Sequence, residues 1–148
     1  MGNFEKDLAI GEKAELFIAG LLSKEYPTIG KIQGYNIYKD LFDKSGYSAE
    51  VKFDRESKKT GNVAIEYRYK GKPSGISTSK AYEWIIIYFN HEWIYSRIER
   101  ARLMAFVKAN FEHSKKVKGG DNNQSSLVLI GTPLFSETFG GNKILQDT

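Results

Sequence analysis

Residues 40–52 read Asp40-Leu-Phe-Asp-Lys-Ser-Gly-Tyr-Ser-Ala-Glu50-Val-Lys52, and this run predicts a β-hairpin. Residues 47–53 alternate apolar and polar side chains, which is the period-two pattern of a half-buried strand. Residues 44–46, Lys-Ser-Gly, suit a three-residue hairpin loop whose glycine is left-handed. In that register Asp40 would face Glu50 directly across the hairpin, whereas a two-residue loop would turn Asp40 to the other face.

Asp40, Glu50 and Lys52 would then share one face of the hairpin, and this grouping has two interpretations. The first is an ordinary exposed strand face with a salt bridge. The second is a site for a divalent cation such as Mg²⁺, which prefers oxygen ligands, beside a lysine that offsets charge developing on a phosphate. Charge alone does not separate these interpretations.

Asp40 followed by Glu50-Val51-Lys52 resembles the D…(D/E)-x-K signature of the PD-(D/E)xK nucleases, with Lys39 in place of the usual proline. The likeness extends over roughly residues 8–131 and is to small phage-type members of the family. The other segments that carry it are Thr60-Gly-Asn-Val-Ala-Ile-Glu66-Tyr, Pro73-Ser-Gly-Ile76 and Lys118-Gly-Gly.

The resemblance implies an α/β fold with a restriction-endonuclease-like core, in which helices flank a mixed central β-sheet. It implies a Mg²⁺-dependent endonuclease that hydrolyses DNA phosphodiesters, with Mn²⁺ able to substitute. Asp40, Glu50 and the carbonyl of Val51 would bind the metal, and Lys52 would position the attacking water. A cytoplasmic location, in a bacterial cell or a phage-infected host, accompanies this interpretation, and a homodimer is an option.

Two further glutamates are candidates for the catalytic set. Glu15 falls on the apolar stripe of a helix predicted over residues 4–24, and its alternative is a place at the stripe's edge, in solvent. Glu66 falls on a strand predicted over residues 62–69 and would reach the cleft if that strand pairs with Glu50-Val51-Lys52. Its alternative is a surface salt bridge.

Positive charge is concentrated between residues 52 and 80, where eight Lys or Arg accompany three Asp or Glu. The excess is slightly larger than the net charge of +4 for the whole chain. Such a patch suits a phosphate backbone, and its alternative is a solvated loop. The DNA-contacting candidates are Arg55, Arg68, Lys70, Lys72, Lys80 and Lys118.

Length and composition favour one domain, residues 1–148, with a substantial core. Cysteine is absent, which excludes disulfides, thiolate metal sites and a cysteine nucleophile and is compatible with a reducing cytosol. No apolar run approaches the ~18 residues that span a membrane, so we expect no membrane association.

The second half of the chain predicts further elements. They are a fully buried strand at 84–89, a turn at 90–92, a helix from a capping box at 96–99 to residue 110, a loop at 113–123 and a last strand at 126–130.

Two other functions stay open: a non-catalytic nucleic-acid-binding module on the same fold, and an unrelated sheet protein whose Asp40 and Glu50 pair with lysines.

Overall fold

The computed structural model describes residues 2–31 and 41–144, without the side chains of residues 2–12, 15, 31 and 121. The helices are α1 (Gly2–Glu25), α2 (Ser57–Thr60), α3 (Arg100–Asn110) and α4 (Thr132–Phe139). The strands are β1 (Gly30–Lys31), β2 (Leu41–Phe42), β3 (Ser48–Phe53), β4 (Asn62–Tyr69), β5 (Lys72–Pro73), β6 (Glu83–Phe89), β7 (Trp93–Glu99), β8 (Lys115–Gly119), β9 (Ser125–Gly131) and β10 (Asn142–Lys143).

A mixed six-stranded sheet in the order β1-β2-β3-β6-β7-β10 forms the centre of the α/β fold. Its β3 and β6 are parallel, and its other pairs are antiparallel. The run from Trp84 to Tyr88 on β6 is buried, as its continuous apolar sequence predicts. On one face, Ala14, Ile18 and Leu22 of α1 pack on this sheet at a spacing of four residues.

The opposite face of this sheet packs against a second, four-stranded sheet in the order β5-β4-β9-β8. The core between the sheets also takes in residues of α3 and α4. Its members include Trp84, Ile86, Tyr88, Ile65, Val128, Leu103 and Phe135. Because β3 belongs to the first sheet and β4 to the second, the chain changes sheets at the turn between them, residues 54–61.

The strand that carries Glu66 does not pair with Glu50-Val51-Lys52, so the condition stated for Glu66 is not met. That strand, β4, pairs with β5 and β9 in the second sheet. The edges of β3 are instead paired with β2 and β6, so that Ala49 lies between Leu41 and Glu83. The alternation of β4 indicates its two faces but carries no information about its neighbours.

Two predictions for the second half of the chain also need correction, and the tail contains a helix that no sequence pattern predicted. The strand β7 continues through the predicted capping box to Glu99, because the Ser96 hydroxyl is buried and hydrogen-bonds to the Tyr88 hydroxyl at 2.8 Å. The predicted loop at 113–123 contains β8, which pairs with β9 along its whole length. The tail contains α4, which begins beside Pro133, a residue suited to the first turn of a helix.

Candidate active site

The hairpin between β2 and β3 has the predicted three-residue loop. Leu41 pairs with Ala49 and Phe42 with Ser48, and the Gly46 amide donates to the Asp43 carbonyl at 2.9 Å. Gly46 has φ of 102°, the conformation that this loop requires of a glycine. This register is the one on which the prediction for Asp40 depends. Asp40 itself lies outside the described residues, so its place opposite Glu50 stays a prediction.

Asp43, the neighbouring carboxylate that could take the place of Asp40, has a structural role. Its side chain is buried, and one oxygen accepts from the Thr28 amide at 2.9 Å and the Thr28 hydroxyl at 2.6 Å. The other oxygen accepts from the Ser45 amide at 2.9 Å. These hydrogen bonds lower the pKa of Asp43 to about 2 and tie the hairpin loop to the segment after α1.

Asp43 should therefore make the free energy of unfolding depend on pH in the acidic range. Its folded-state pKa lies below the unfolded value, so its contribution is complete above about pH 4 and is lost as the pH falls towards about 2. We expect the free energy of unfolding of the wild type to fall more steeply over that range than that of Asp43→Asn. Urea unfolding at several pH values checks this, and parallel curves for the two proteins would contradict the assignment.

Glu50 and Lys52 lie on one face of β3, as the sequence predicts. The Lys52 ammonium is 3.9 Å from a Glu50 carboxylate oxygen, and the two side chains differ sharply in exposure, 54% for Lys52 and 7% for Glu50. The ammonium also lies 6.0 Å from the centre of the Trp84 ring. Removing a carboxylate from water to this extent is costly unless it is paired, and the Lys52 ammonium is an opposite charge close to it.

Lys52 opens onto a cleft of about 970 Å³ between the end of β3 and the second sheet. Arg55 and Glu66 line the same cleft, and Leu127 and Leu129 of β9 form part of its apolar wall. The structure thus brings Glu66 to the cleft of Lys52 from the second sheet. It does so without any pairing between β4 and β3.

The Glu66 carboxylate is held by two hydroxyl groups. One oxygen accepts from Ser125 at 2.6 Å, and the other accepts from Ser74 at 3.1 Å. Gly75 follows with φ of 55°, and a Cβ atom on this residue would lie 2.2 Å from the Glu66 carbonyl oxygen. The segment around Ser74 can approach β4 this closely only because residue 75 is glycine.

Asp54, for which the sequence patterns predicted no role, also lines the cleft. One carboxylate oxygen accepts from the Ala64 amide of β4 at 2.8 Å and the other from the Ser57 amide at 3.1 Å. Burial raises the pKa of Asp54. The available signal is an Asp-x-x-Ser turn directly after a strand. Asp54 therefore links the end of β3 to β4, and each of its carboxylate oxygens accepts a hydrogen bond from a backbone amide.

The six basic candidates do not form one patch. Arg55 lines the cleft. Lys72 lies on the same side, because it pairs with Tyr69 and Tyr69 pairs in turn with Ser125. The Ser125 hydroxyl donates to Glu66 in the cleft. Lys70 occupies the exposed turn between β4 and β5, and Lys80 is exposed in the loop before β6.

Arg68 and Lys118 lie on the opposite face of the second sheet, away from Glu66. Both pair with Ser126, which has the same parity along β9 as the buried Val128. The Lys118 ammonium donates to the Ser126 hydroxyl at 2.6 Å. The pleat of the sheet therefore turns Arg68 and Lys118 away from the cleft, and contact of either residue with a phosphate stays a prediction.

The predicted metal site is described only in part. Among the side chains described in residues 13–30 and 41–144, no group of three His, Cys, Asp or Glu converges closely enough to hold a metal ion. Asp40 and the side chain of Glu15 lie outside the described set. The Val51 side chain packs on the α1 side of the sheet, opposite Glu50, so that only its backbone carbonyl fits the predicted role.

No protein-family model, curated protein or solved structure matches this chain. In the described ranges, 2–31 and 41–144, no helix is both long and apolar enough to cross a membrane. The assignment of a function therefore depends on the residues of the cleft.

Proposed function

We propose that this protein is a Mg²⁺-dependent DNA endonuclease with a restriction-endonuclease-like core. The observation that carries the proposal is the pair on β3: a nearly buried carboxylate, Glu50, with the Lys52 ammonium 3.9 Å away and open to the cleft. The position of β3 inside a mixed sheet, parallel to its neighbour β6, supports the proposed core.

In this proposal Glu50, Asp40 and the Val51 carbonyl hold the metal, which supplies a Lewis acid for the phosphate and an acidified water. Oxygen donors of this kind are the ligands that Mg²⁺ prefers, so the chemistry of the proposed set fits the ion. Lys52 orients the attacking water and hydrogen-bonds to the phosphate as negative charge develops there. Glu66 adds a carboxylate to the cleft, whereas Glu15, whose helix α1 packs on the face of the sheet opposite Glu50, stays a candidate from the sequence alone.

The proposed substrate is DNA, held by cations around the cleft. Arg55 lies in the cleft lining, and Lys70 and Lys72 lie at and beside the turn between β4 and β5. Lys80 is a further candidate for a phosphate contact. A homodimer, in which each copy cuts one strand of a duplex, and a cytoplasmic location remain predictions.

Replacing Lys70 and Lys72 together with glutamine should weaken DNA binding without regard to sequence. For each lysine that pairs with a phosphate, its removal should reduce the slope of log affinity against log salt by about 0.9 on duplex DNA. Lys24→Gln/Lys44→Gln removes the same charge from exposed positions near α1 and serves as the control. Equal affinity of the Lys70/Lys72 variant and the wild type at low salt would show that these lysines only solvate the turn.

Labelled duplex, flap and four-way-junction DNAs, incubated with and without Mg²⁺, test the function itself. A nuclease cuts at least one of these substrates, and chelation of the metal stops the reaction. The alternative binding module binds DNA and cuts none of them in either Mg²⁺ or Mn²⁺. An unrelated sheet protein neither binds nor cuts.

A further inference from the structure

A second groove, of about 810 Å³, lies between β4 and α3. We call it the α3 groove and define it by Tyr67, Arg68, Ile76, Met104, Lys108 and Phe111. It is on the face of the second sheet that Arg68 shares with Ser126, opposite the cleft that contains Glu66. The proposed nuclease chemistry makes no use of this groove.

Two aromatic rings form one wall of the α3 groove. Tyr67 and Phe111 are both half-buried, and their rings meet edge to face with centroids 5.1 Å apart. The Lys116 ammonium lies 4.5 Å from the centre of the Phe111 ring, within the range of a cation–π contact. Both rings pack against the core cluster that contains the buried Ile76 and Val107, so the wall is apolar and continuous with the core.

Cations surround this aromatic wall. Arg68 of β4 and Lys118 of β8 both pair with Ser126, so they stand in one row across three strands. Lys116 lies two residues before Lys118 on β8, on the same face and about 6.6 Å away by the rise of a strand. Lys108 lies in the lining as well, where Glu112 is the one carboxylate among the lining residues described.

We propose that the α3 groove binds an unpaired stretch of single-stranded nucleic acid. A base stacks on the Phe111 ring, against which Tyr67 packs edge to face, and the phosphates on either side meet Arg68, Lys116 and Lys118. Aromatic platforms flanked by cations are the means by which proteins hold single strands without reading their sequence.

The groove favours a single strand over a duplex because only an unpaired base can turn its flat face to rings set inside a groove. In a duplex the bases are stacked on each other, and the backbone alone would reach the cations. The inference does not depend on the proposed function, because it concerns the opposite face of the sheet and needs no metal.

Binding measured in EDTA by fluorescence anisotropy tests the inference. The probes are a labelled oligothymidine of about 12 nucleotides, a length within known single-strand site sizes, an abasic strand of equal length and the corresponding duplex. We expect the oligothymidine to bind more tightly than the abasic strand. The triple variant Arg68→Gln/Lys116→Gln/Lys118→Gln should lose about 2 from the single-strand salt slope, at about 0.7 for each phosphate that a cation pairs with.

The matched control is Lys13→Gln/Lys24→Gln/Lys44→Gln, which removes three charges from exposed side chains on and near α1. The groove variant also changes only exposed residues, and it removes one hydrogen bond within the described part of the chain, from Lys118 to Ser126. Phe111→Leu keeps an apolar side chain and removes the stacking ring. It should cost about tenfold in affinity for the oligothymidine, within the range of stacking losses, and leave the abasic strand unaffected.

Photo-crosslinking locates the base directly. An oligonucleotide carrying 5-iododeoxyuridine should crosslink to Tyr67 or Phe111. Crosslinks confined to other residues, or equal affinity of the groove variant and the control for the oligothymidine, would overturn the proposal. So would an acidic peptide of matched charge that binds the groove more tightly than the oligonucleotide, because the occupant would then be a protein.

Discussion

Lys52→Ala should lower the rate of Mg²⁺-dependent DNA cleavage about 10²–10³-fold, the effect of deleting one donor that acts on a transition state. DNA affinity should change little, because the substitution leaves the proposed metal ligands in place and removes one exposed charge among several. Cleavage under single-turnover conditions and binding by anisotropy measure the two quantities side by side. Lys59→Ala, at an exposed position of α2 close to the cleft, is the matched control and should cleave at about the wild-type rate.

Glu50→Gln separates the metal role from the water-positioning role. It preserves the size of a nearly buried side chain but removes the charge that would hold the metal, so metal affinity and cleavage should fall together. If Glu50 and Lys52 formed only a salt bridge, either substitution would change the free energy of unfolding and leave metal affinity and DNA cleavage unaffected. Full cleavage activity in both variants would contradict the proposed roles.

Gly75→Ala should lower the free energy of unfolding more than the same substitution at Gly71, the glycine in the turn between β4 and β5. The positive φ alone costs alanine about 1–2 kcal/mol, and the overlap of its Cβ with the Glu66 carbonyl oxygen adds about 1–3 kcal/mol more. Urea unfolding measures the sum. Because the added methyl group displaces β4 at Glu66, cleavage should also fall, although no proposed catalytic side chain has been removed.

Gly71→Ala is the control for this prediction. Gly71 has φ of 78°, and a Cβ atom there would meet nothing within 4 Å, so the variant carries the conformational cost without the overlap. It should lose about 1–2 kcal/mol and keep its activity. Equal losses for the two variants would mean that the close approach of Gly75 to Glu66 does not matter.

Local patterns in the sequence predicted the elements that surround Glu50. A turn of three residues ending in Gly46 sets the hairpin register, and the continuous apolar run of β6 identifies a strand buried on both faces. Both signals are contained within a few residues of the feature that they predict. The side chains of Glu50 and Lys52 share a face for the same local reason.

The features that could not be predicted depend on residues distant in the chain. Ser96 begins what reads as a capping box, but its hydroxyl bonds to Tyr88 and to the Gly140 carbonyl, so the strand continues. The lysine-rich segment 115–119 forms a strand only because β9 is available to pair with it. Likewise, alternation places Arg68 and Glu66 on a strand, but the irregular register between them decides which face each side chain takes.

The most direct test of the account is an anomalous-scattering map from crystals soaked in Mn²⁺. We predict a peak within bonding distance of the Glu50 carboxylate, at the cleft onto which Lys52 opens, and the loss of that peak in Glu50→Gln crystals. Saturating Mn²⁺ with no peak at Glu50, or with an unchanged peak in the variant, would contradict the claim that this carboxylate binds the catalytic metal.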